Sequence, residues 1–322
     1  MKLNTKVLVT GASGQIGSRL ARKLINHGAD VYALSTINSF ENESRIKHIQ
    51  KTRGEPIVAE LPEIDLVFHL ASQTSAYIAR ASVSKDIQTN LLDSIHLIEK
   101  LSHQSTPPGL IYAGSMTAYG MGQQELINEE SLINPQTFYD VGKLANEMYL
   151  EQYVREGRLK SCITLRLSNI YGAHQISTES ERGFLDRCIW NAINGANLNM
   201  YGDGSYLRDY LHIEDAVEAF YSAGKIASKT GIEVFNIGTA KGTTLKSALQ
   251  QIADGANILT GENSRLIEME FPEAAYNIEK RHSVADPSSF MAQTGWVPSI
   301  EFGEGVSRGL RQALSIFNED IK

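Results

Sequence analysis

Tyr139 and Lys143 stand four residues apart, a spacing that puts both side chains on one face of a helix, about 6 Å apart at the backbone. An ammonium held beside a phenol favours the phenolate, so the pair predicts a pKa for Tyr139 below the usual value of about 10. To act as a base near neutral pH, the phenol needs a shift of about three units, or ~4 kcal/mol of differential interaction. The spacing therefore indicates acid and base chemistry on the proton of an alcohol.

A third residue separates this pair from a chance one. Tyr221 and Lys225 have the same spacing, as expected in a chain with 13 tyrosines among 322 residues, so the spacing alone is not selective. Ser115 precedes Tyr139 by 24 residues and follows the fifth predicted strand. A hydroxyl at a strand end can hydrogen-bond a substrate oxygen while the proton moves. Ser115, Tyr139 and Lys143 are therefore the predicted catalytic residues.

A glycine-rich turn follows the first predicted strand and opens the first predicted helix. Gly11 permits a tight turn, Gly14 lets backbone N–H groups approach a diphosphate, and Gly17 lets the helix and the strand pack closely. The amino terminus of the helix adds unpaired donors and partial positive charge. This context predicts a dinucleotide site formed by Gly11, Ser13, Gly14, Gln15, Ile16 and Gly17.

The end of the second predicted strand does not decide which dinucleotide binds. An acidic residue that would bind a ribose 2′-hydroxyl belongs there, and this chain has Ser35 and Thr36 instead. A 2′-phosphate would call for an arginine nearby, and the nearest one is Arg45. Ser35 and Thr36 are predicted cofactor contacts, and the choice between NAD and NADP stays open.

The residues above must be positioned by a sheet, because short β-branched runs alternate with helical segments over the first two thirds of the chain. This alternation is typical of βαβ units, whose right-handed crossovers bring the carboxyl ends of all strands, and the ligands, to one edge. The predicted strands are Lys6–Thr10, Val31–Leu34, Ile57–Ala59, Leu66–Leu70, Leu110–Ala113 and Cys162–Leu167, and the predicted helices include Ile16–His27, Ile87–Ser102 and Tyr139–Glu156.

The alternation loosens after about residue 170, where turn-rich pieces such as 201–205 separate short elements. We therefore expect an α/β fold of two parts. Residues 1–170 would form a Rossmann-type doubly wound parallel sheet, to which a later segment can return. Residues 171–322 would form a smaller α/β lobe that binds the substrate.

Composition excludes several classes of function. Lys and Arg number 30 against 37 Asp and Glu, a net charge of −7 without a basic run, whereas nucleic acids and anionic membranes need clustered positive charge. No stretch approaches the roughly 20 apolar residues of a membrane span. Cys162 and Cys188 are not spaced as metal ligands or as a disulfide framework. We expect a cytoplasmic protein without a metal, nucleic-acid or membrane partner.

These residues resemble the extended short-chain dehydrogenase/reductases of nucleotide-sugar metabolism, the NAD-dependent epimerase/dehydratase family, and in particular its UDP-glucose 4-epimerase-like members. The resemblance covers nearly the whole chain and implies NAD as the cofactor and a nucleoside-diphosphate sugar as the substrate. The residues that carry it are 10–17, 69–73, Asn90, 115–120, Tyr139 with Lys143, 165–172, 202–204, 208–212, 236–238 and 295–296.

The resemblance also implies roles for single residues. Tyr139 would be the acid and base, Lys143 would orient the cofactor ribose and tune Tyr139, and Ser115 would complete the triad. Further cofactor contacts implied by the family are Glu60, Leu61, Leu70, Ala71, Ser72 and Asn90. The implied substrate contacts are Thr74, Ser115, Met116, Thr117, Asn169, Arg208 and Arg281, with Asn169 and Arg208 at the diphosphate.

Two departures from the family pattern matter. Dehydratases of this family carry an acidic pair after the triad hydroxyl, whereas Met116 and Thr117 follow here, which favours oxidation and reduction at a sugar carbon over dehydration. The usual second diphosphate arginine precedes Ala285 by about ten residues, where this chain has 276–279. Arg281 is the predicted substitute, although the altered loop equally suits an unusual nucleotide or sugar.

Three functions follow from this pattern. The first is a nucleoside-diphosphate-hexose 4-epimerase that transfers hydride at C4 with Tyr139 as acid and base. The second is an NAD(P)H-dependent 4-ketoreductase acting on a nucleoside-diphosphate 4-keto-6-deoxyhexose. The third, a dinucleotide-sensing protein without catalysis, is disfavoured because the triad is complete. The resemblance further implies a homodimer joined through the helices that contain Tyr139 and Ile87–Ser102.

Overall fold

The fold was obtained as a computed structural model, which describes residues 4–52, 54–55, 60–122, 126–172, 183–227, 231–272 and 277–320. Strands are β1 (Lys6–Thr10), β2 (Asp30–Ser35), β3 (Ile46–Gln50), β4 (Leu66–His69), β5 (Gly109–Ser115), β6 (Ser161–Leu167), β7 (Asn169–Tyr171), β8 (Leu198–Tyr201), β9 (Leu207–Arg208), β10 (Tyr210–His212), β11 (Ile232–Ile237), β12 (Thr243–Thr244) and β13 (Leu266–Met269). Helices are α1 (Gln15–Asn26), α2 (Ala76–Ala81), α3 (Val83–Ile87), α4 (Asp93–Leu101), α5 (Phe138–Arg155), α6 (Phe184–Ile193), α7 (Ile213–Ile226), α8 (Leu245–Thr260), α9 (Ser288–Thr294) and α10 (Phe302–Asp320). A π-helical turn (Gln88–Leu92) precedes α4, and 3₁₀ turns occupy Met116–Tyr119 and Asn277–Lys280.

A seven-stranded parallel sheet is the centre of the fold, in the order β11-β6-β5-β4-β1-β2-β3. The order reverses at β1, whose last residue Thr10 is paired with Leu34 of β2 and with His69 of β4. Ligands of doubly wound sheets bind at such a reversal, outside the carboxyl ends of the strands. The predicted fold class is confirmed.

The sheet is covered on both faces because side chains alternate between them along a strand. Val7 and Val9 of β1 face α1 and α7, where Leu24 and Phe220 are fully buried. Leu8 faces the opposite layer, which α4 and α5 form. Near-continuous apolar runs such as β1 are therefore the pattern of a strand buried on two sides.

Residues after 170 form a second core and also complete the sheet. Helices α6, α8 and α10 pack around buried aliphatic residues such as Ile189, Leu249 and Leu310, with the parallel pair β8–β13 beside them. Between α7 and α8 the chain contributes β11 to the sheet, where it pairs with β6. The division of the chain at residue 170 stays a prediction.

The structure differs from the predicted elements at the edge of the sheet. The predicted strand Ile57–Ala59 lies outside the described residues. The strand that pairs with β2 is Ile46–Gln50, to which no predicted strand corresponds. Its half-exposed pattern with interior polar residues hides it from a search for apolar runs. The predicted helix Ile87–Ser102 is divided between the π-helical turn and α4. In the part of the chain described, no helix combines the length and apolar character needed to cross a bilayer.

Candidate active site

A cavity of about 940 Å³ opens at the carboxyl edge of the sheet, between the sheet and the second core. It has two halves. The turn half lies over the glycine-rich turn and the ends of β2 and β4, and the arginine half lies beside Arg208 and Arg281. The predicted site residues that line the cavity are Gly11, Ser13, Gly14, Gln15, Ile16, Gly17, Ser35, Thr36, Leu70, Ala71, Ser72, Thr74, Ser115, Met116, Thr117, Tyr139, Lys143, Asn169, Arg208 and Arg281.

Three predicted cofactor contacts do not line the cavity. Glu60 and Leu61 lie outside its wall, directly after residues that the structure does not describe. Asn90 is buried behind Ser72, whose hydroxyl donates to its Oδ1 at 2.9 Å. Their contact with a cofactor stays a prediction.

The glycine-rich turn is shaped by close approach of backbone to backbone. Gly11 has a φ of +64°, and a Cβ there would meet Ala71 N at 2.7 Å. A Cβ on Gly17 would overlap the carbonyl oxygen of Gly11. Gly14 precedes α1 without a side-chain cap, so the first N–H groups of the helix remain available to a diphosphate. The turn therefore fits the phosphates of a dinucleotide.

Thr10 fixes this turn to the end of β4. Its Oγ1 accepts hydrogen bonds from Leu70 N at 3.1 Å and Ala71 N at 3.0 Å, and it contacts His69 Nδ1 at 2.9 Å. Burial lowers the pKa of His69 to about 3, so the ring is neutral at physiological pH. His69 is thus a structural residue of the interior.

The far end of the turn half contains an ion pair that is not predicted from the sequence. Ser35 Oγ at the end of β2 donates to Ile37 O at 2.7 Å. Beyond it, Lys51 Nζ and Asp93 Oδ2 lie 2.9 Å apart, with both side chains mostly buried, and both residues line the cavity. The acidic residue near this end comes from α4, whereas the usual position is the end of β2.

The three predicted catalytic residues meet where the two halves join. Ser115 ends β5, and its hydroxyl lies 2.9 Å from Thr117 Oγ1 and acts to lower the pKa of the Tyr139 phenol. A capping box starts α5 just before the tyrosine, with Asp140 N donating to Thr137 Oγ1 at 3.2 Å and Thr137 N to Asp140 Oδ2 at 3.0 Å. This cap fixes the first turn of α5 and the place of Tyr139.

Lys143 lies one turn further along α5 and is almost completely buried. Its Nζ donates to Ser72 Oγ at 3.2 Å and stands 4.5 Å from the centre of the Tyr112 ring. Burial lowers the pKa of Lys143 to about 7, although the carboxylates of Asp86 and Glu147 act to raise it. The lysine is therefore only partly charged near neutral pH.

The charged groups of the chain alone do not bring the pKa of Tyr139 below 10. Burial raises the pKa of Tyr139 to about 12, although the Ser115 hydrogen bond and the Arg281 guanidinium oppose it. The physical reason is that removal of the phenol from water disfavours the phenolate more than neighbouring cations favour it. Tyr139 is a neutral phenol at physiological pH, and additional positive charge is needed to make it a base.

Arg208 and Arg281 form the electropositive wall of the arginine half. Arg208 does not pair with Asp209, which accepts from Thr239 instead. Its guanidinium donates to the main-chain oxygens of Glu279, at 2.7 Å, and of Arg281. Burial, with Arg281 nearby, lowers the pKa of Arg208 to about 10.

The guanidinium of Arg281 has unused hydrogen-bonding capacity. Its Nη1 donates to Ile278 O at 3.0 Å, whereas its buried Nε has no partner within the described residues. No carboxylate there forms an ion pair with Arg208 or Arg281. Two adjacent guanidinium groups without counterions suit a dianion such as a diphosphate. Asn169 lies nearby, with its Nδ2 donating to Asp209 O at 3.1 Å.

An aromatic wall completes the arginine half and was not predicted. The Phe271 ring lies 6.0 Å from that of Tyr201 and 6.1 Å from that of Tyr206, and all three residues line the cavity. The three residues come from separate segments, and no local motif marks them. Flat rings at these distances can stack with a planar base.

Residues 7–238 match the family model described as the NAD dependent epimerase/dehydratase family. The chain belongs to this family. It is similar to a UDP-glucose 4-epimerase of Mycolicibacterium smegmatis, with 27% identity over 314 residues that cover 94% of this chain and 96% of the relative. It is also similar to a dTDP-4-dehydro-6-deoxyglucose reductase of Escherichia coli, with 23% identity over 317 residues that cover 94% and 95% of the two chains.

Solved structures of the family agree with the fold. A UDP-glucose 4-epimerase of Thermotoga maritima, solved with UDP-glucose, has a TM-score of 0.84 and 28% identity, covering 98% of this chain and 100% of its own. MoeE5 in complex with UDP-glucuronic acid and NAD has a TM-score of 0.82 and 25% identity, covering 97% and 99%. These matches confirm the predicted family, the NAD-dependent class of enzyme and a nucleotide sugar as the class of substrate.

Proposed function

We propose that this member of the epimerase/dehydratase family is a nucleoside-diphosphate-hexose 4-epimerase, with Tyr139 as the acid and base at the C4 hydroxyl. One observation carries the proposal. Ser115, Tyr139 and Lys143 meet where the turn half of the cavity, which fits a dinucleotide, joins the arginine half, which fits an anionic ligand with a planar base. This is the place where a sugar carbon can face a nicotinamide ring.

The residues of the turn half would hold NAD. The turn from Gly11 to Gly17 would bind the diphosphate, Ser35 and Thr36 would face the adenosine ribose, and Lys143 would bind the second ribose. When bound, NAD would supply the acceptor of the C4 hydride and a positively charged ring that favours the phenolate of Tyr139. The chain itself provides proton transfer, orientation and exclusion of water.

Tyr139 would exchange the proton of the C4 hydroxyl, while Ser115 hydrogen-bonds the same oxygen and Thr117 supports Ser115 at 2.9 Å. The charge of Arg281 lowers the free energy of the phenolate, and a charged Lys143 one turn further along α5 would act in the same direction. Epimerisation requires in addition that the 4-keto sugar turn within the cavity before the proton and hydride return to it. Thr74 and Met116 line the cavity and would contact the sugar as it turns.

The substrate's nucleotide would lie in the arginine half. Arg208 and Arg281 would bind the diphosphate through paired N–H donors, with Asn169 beside them. Tyr201, Tyr206 and Phe271 would form the wall against the base.

The second candidate is a 4-ketoreductase, which the similarity to the Escherichia coli reductase supports. Both reactions use the same proton transfer at Tyr139, but an epimerase leaves the cofactor unchanged overall, whereas a reductase consumes reduced cofactor at each turnover. Dehydration stays disfavoured, because Met116 and Thr117 offer no acid or base beside Ser115.

The deciding experiment incubates the protein with a panel of nucleotide sugars and NAD or NADP, and follows product configuration by NMR together with cofactor absorbance. An epimerase yields a mixture of C4 epimers without net change at 340 nm. Stoichiometric loss of absorbance with a 4-keto sugar would instead establish the reductase.

Tyr139→Phe tests whether the site is catalytic at all. Loss of the phenolic proton is expected to lower kcat by about 10²–10⁴-fold, while NAD affinity by calorimetry is unchanged. Unaltered turnover in this variant would remove Tyr139 as the base and, with it, the proposed mechanism.

We further propose a homodimer joined through α5 and α4, the helices of the predicted dimer interface. Val141 and Met148, two turns apart on α5, are 52% and 61% exposed, and Phe138 and Tyr149 are also exposed. Such a set of apolar side chains on one helix is typical of an interface. Light scattering should give twice the mass of the chain, and Met148→Glu should give the monomer, whereas a monomeric wild type would contradict the dimer.

A reducing, cytoplasmic location also stays a prediction, with which the two free, buried cysteines agree.

A further inference from the structure

A buried carboxylate that the proposed mechanism does not use lies behind Lys143. Asp86, in α3, is only 1% exposed. Its Oδ1 accepts hydrogen bonds from Gln73 Nε2 at 2.8 Å and from Asn90 Nδ2 at 2.9 Å. Among the residues that the structure describes, no basic side chain forms an ion pair with it. Burial of a charge without a direct counterion is costly, so its presence at this position requires a reason.

Asp86 is joined to Lys143 by a continuous series of hydrogen bonds. Lys143 Nζ donates to Ser72 Oγ at 3.2 Å, and the same hydroxyl lies 2.9 Å from Asn90 Oδ1. Asn90 is fixed further by Gln73 N, which donates to the same oxygen at 2.8 Å, and its amide group then donates to Asp86. Lysine and carboxylate therefore occupy the two ends of one buried network.

Two local features of the backbone make room for this network. Asn90 is at the centre of the π-helical turn Gln88–Leu92, a wide turn that often marks a functional position in a helix. On the other side, Gly142 immediately precedes Lys143, and a Cβ at that position would lie 2.9 Å from Asp86 Oδ2. The carboxylate therefore packs directly against the helix that carries Tyr139 and Lys143.

We propose that Asp86 is a positioning residue whose negative charge, held by Gln73 and Asn90, keeps the ammonium of Lys143 charged and directed through Ser72 into the cavity. The inference rests on the proposed function, because it assigns a purpose to the charge of Lys143.

The charged and titratable groups around Lys143 act in both directions. Burial raises the pKa of Asp86 itself, and the hydrogen bonds from Gln73 and Asn90 and the charge of Lys143 oppose that rise. Burial is the main influence on the lysine and lowers its pKa to about 7, and Asp86 is the strongest group acting in the opposite direction. Glu147 acts in the same direction from α5 but is committed to Arg166, whose Nη2 lies 2.5 Å from its Oε1. His69 of β4 is neutral. Tyr139 and Tyr112 are uncharged phenols, because burial raises the pKa of both.

The test is a titration of Lys143 in the whole protein, followed by NMR of lysine labelled with carbon-13 at Cε and assigned by loss of the signal in Lys143→Arg. The midpoint is expected near pH 7 in the wild type. In Asp86→Asn, which keeps an oxygen acceptor but removes the charge, we expect a midpoint lower by about one unit. An unchanged midpoint would overturn the proposal.

The control is Glu151→Gln, which removes a carboxylate from the outer part of the same helix, where Glu151 pairs with Arg155 at 2.9 Å. Its midpoint should equal that of the wild type, and an equal shift in both variants would overturn the specific role of Asp86. If Asp86→Asn does not fold, Gly142→Ala provides a second route, since its methyl group displaces the carboxylate. The midpoint should again fall, and a fully unchanged midpoint there counts against the proposal.

The pH dependence of kcat provides a second readout, because a merely structural role of Asp86 would lower kcat equally at every pH. With a midpoint about one unit lower, kcat of Asp86→Asn falls about tenfold at pH 8 and about twofold at pH 6, with the KM for the nucleotide sugar unchanged. A pH-independent loss would overturn the proposal. The NMR titration needs no turnover, so failure of the proposed reaction, shown by full activity of Tyr139→Phe, is distinguishable from failure of this inference.

Discussion

The turn half of the cavity is formed mainly by main chain, whereas the arginine half is formed by side chains from separate segments. In the turn half, Gly11 and Gly17 bring backbone within contact distance of backbone, and any added side chain obstructs the site. In the arginine half, Arg208, Phe271 and Arg281 project from β9 and the loops that follow β13. The first half depends on a local conformation and the second on tertiary placement, so substitutions should affect them differently.

The largest expected effect is in the turn half. Gly17→Ala places a methyl group on the carbonyl of Gly11, so the turn must open. NAD affinity measured by calorimetry should fall about 100-fold, the equivalent of roughly 3 kcal/mol of strain. Gly231→Ala is the control, because open space surrounds that position. Unchanged NAD affinity in Gly17→Ala would show that the turn is not the dinucleotide site.

A smaller, selective effect is expected in the arginine half. Arg281→Gln removes a charged donor that has no counterion in the described part of the chain, so the KM for the nucleotide sugar should rise about 10- to 100-fold while NAD affinity stays constant. Arg265→Gln, at an exposed position, should change neither value. A loss of NAD affinity in Arg281→Gln would contradict the division of the cavity into two halves.

The free energy of unfolding should show what it costs to bury the charged ammonium of Lys143, where the two halves of the cavity join. The pKa of Lys143 is about 7 in the folded protein and 10.5 in the unfolded chain. Between pH 7 and pH 10.5 the unfolded chain therefore holds a proton that the native chain has lost. The contribution of Lys143 to stability therefore rises with pH across this window, and its cost is greatest below pH 7.

Lys143→Met should accordingly be more stable than the wild type by about 1–2 kcal/mol at pH 6, and the difference should vanish near pH 10. Urea denaturation at the two pH values measures this. Lys225→Met, at an exposed position of α7, is the control and should show no pH-dependent difference. A wild type that is the more stable protein at pH 6 would contradict the burial cost.

The smallest effect is expected at the far end of the turn half. Asp93→Asn removes the carboxylate that would repel a 2′-phosphate, so the preference for NAD over NADP should fall by a factor of about five or less. The matched control is Asp30→Asn, because Asp30 forms a similar pair with Lys47, at 2.8 Å, at the opposite end of β2 and away from the cavity. An unaltered preference in Asp93→Asn would assign the discrimination to another group.

The same difference between the halves explains what the sequence could predict. The turn, Ser115, Tyr139 and Lys143 are encoded within short segments whose spacing has a physical meaning. Strand β3 was missed because Lys47 and His48 interrupt its apolar residues at the edge of the sheet.

Pairs formed by tertiary contact could not be predicted in this way. Lys51 and Asp93 are 42 residues apart, and the aromatic wall comes from β8, the loop before β9 and the segment after β13. The rise in the pKa of Tyr139 is hidden from the sequence for a related reason, since spacing reports the neighbouring lysine but not the depth of burial. Burial is a property of the whole fold.

Strand β11 also bears on how the protein is made. It fills the outer position beside β6, yet it is encoded after α6, β8 and α7 of the later segment. A growing chain that has left the ribosome only as far as residue 231 therefore presents the unpaired edge of β6 to solvent and to other nascent chains. Completion of the central sheet must wait until those intervening elements have been synthesised, whereas α8 and α10 of the second core are synthesised later still.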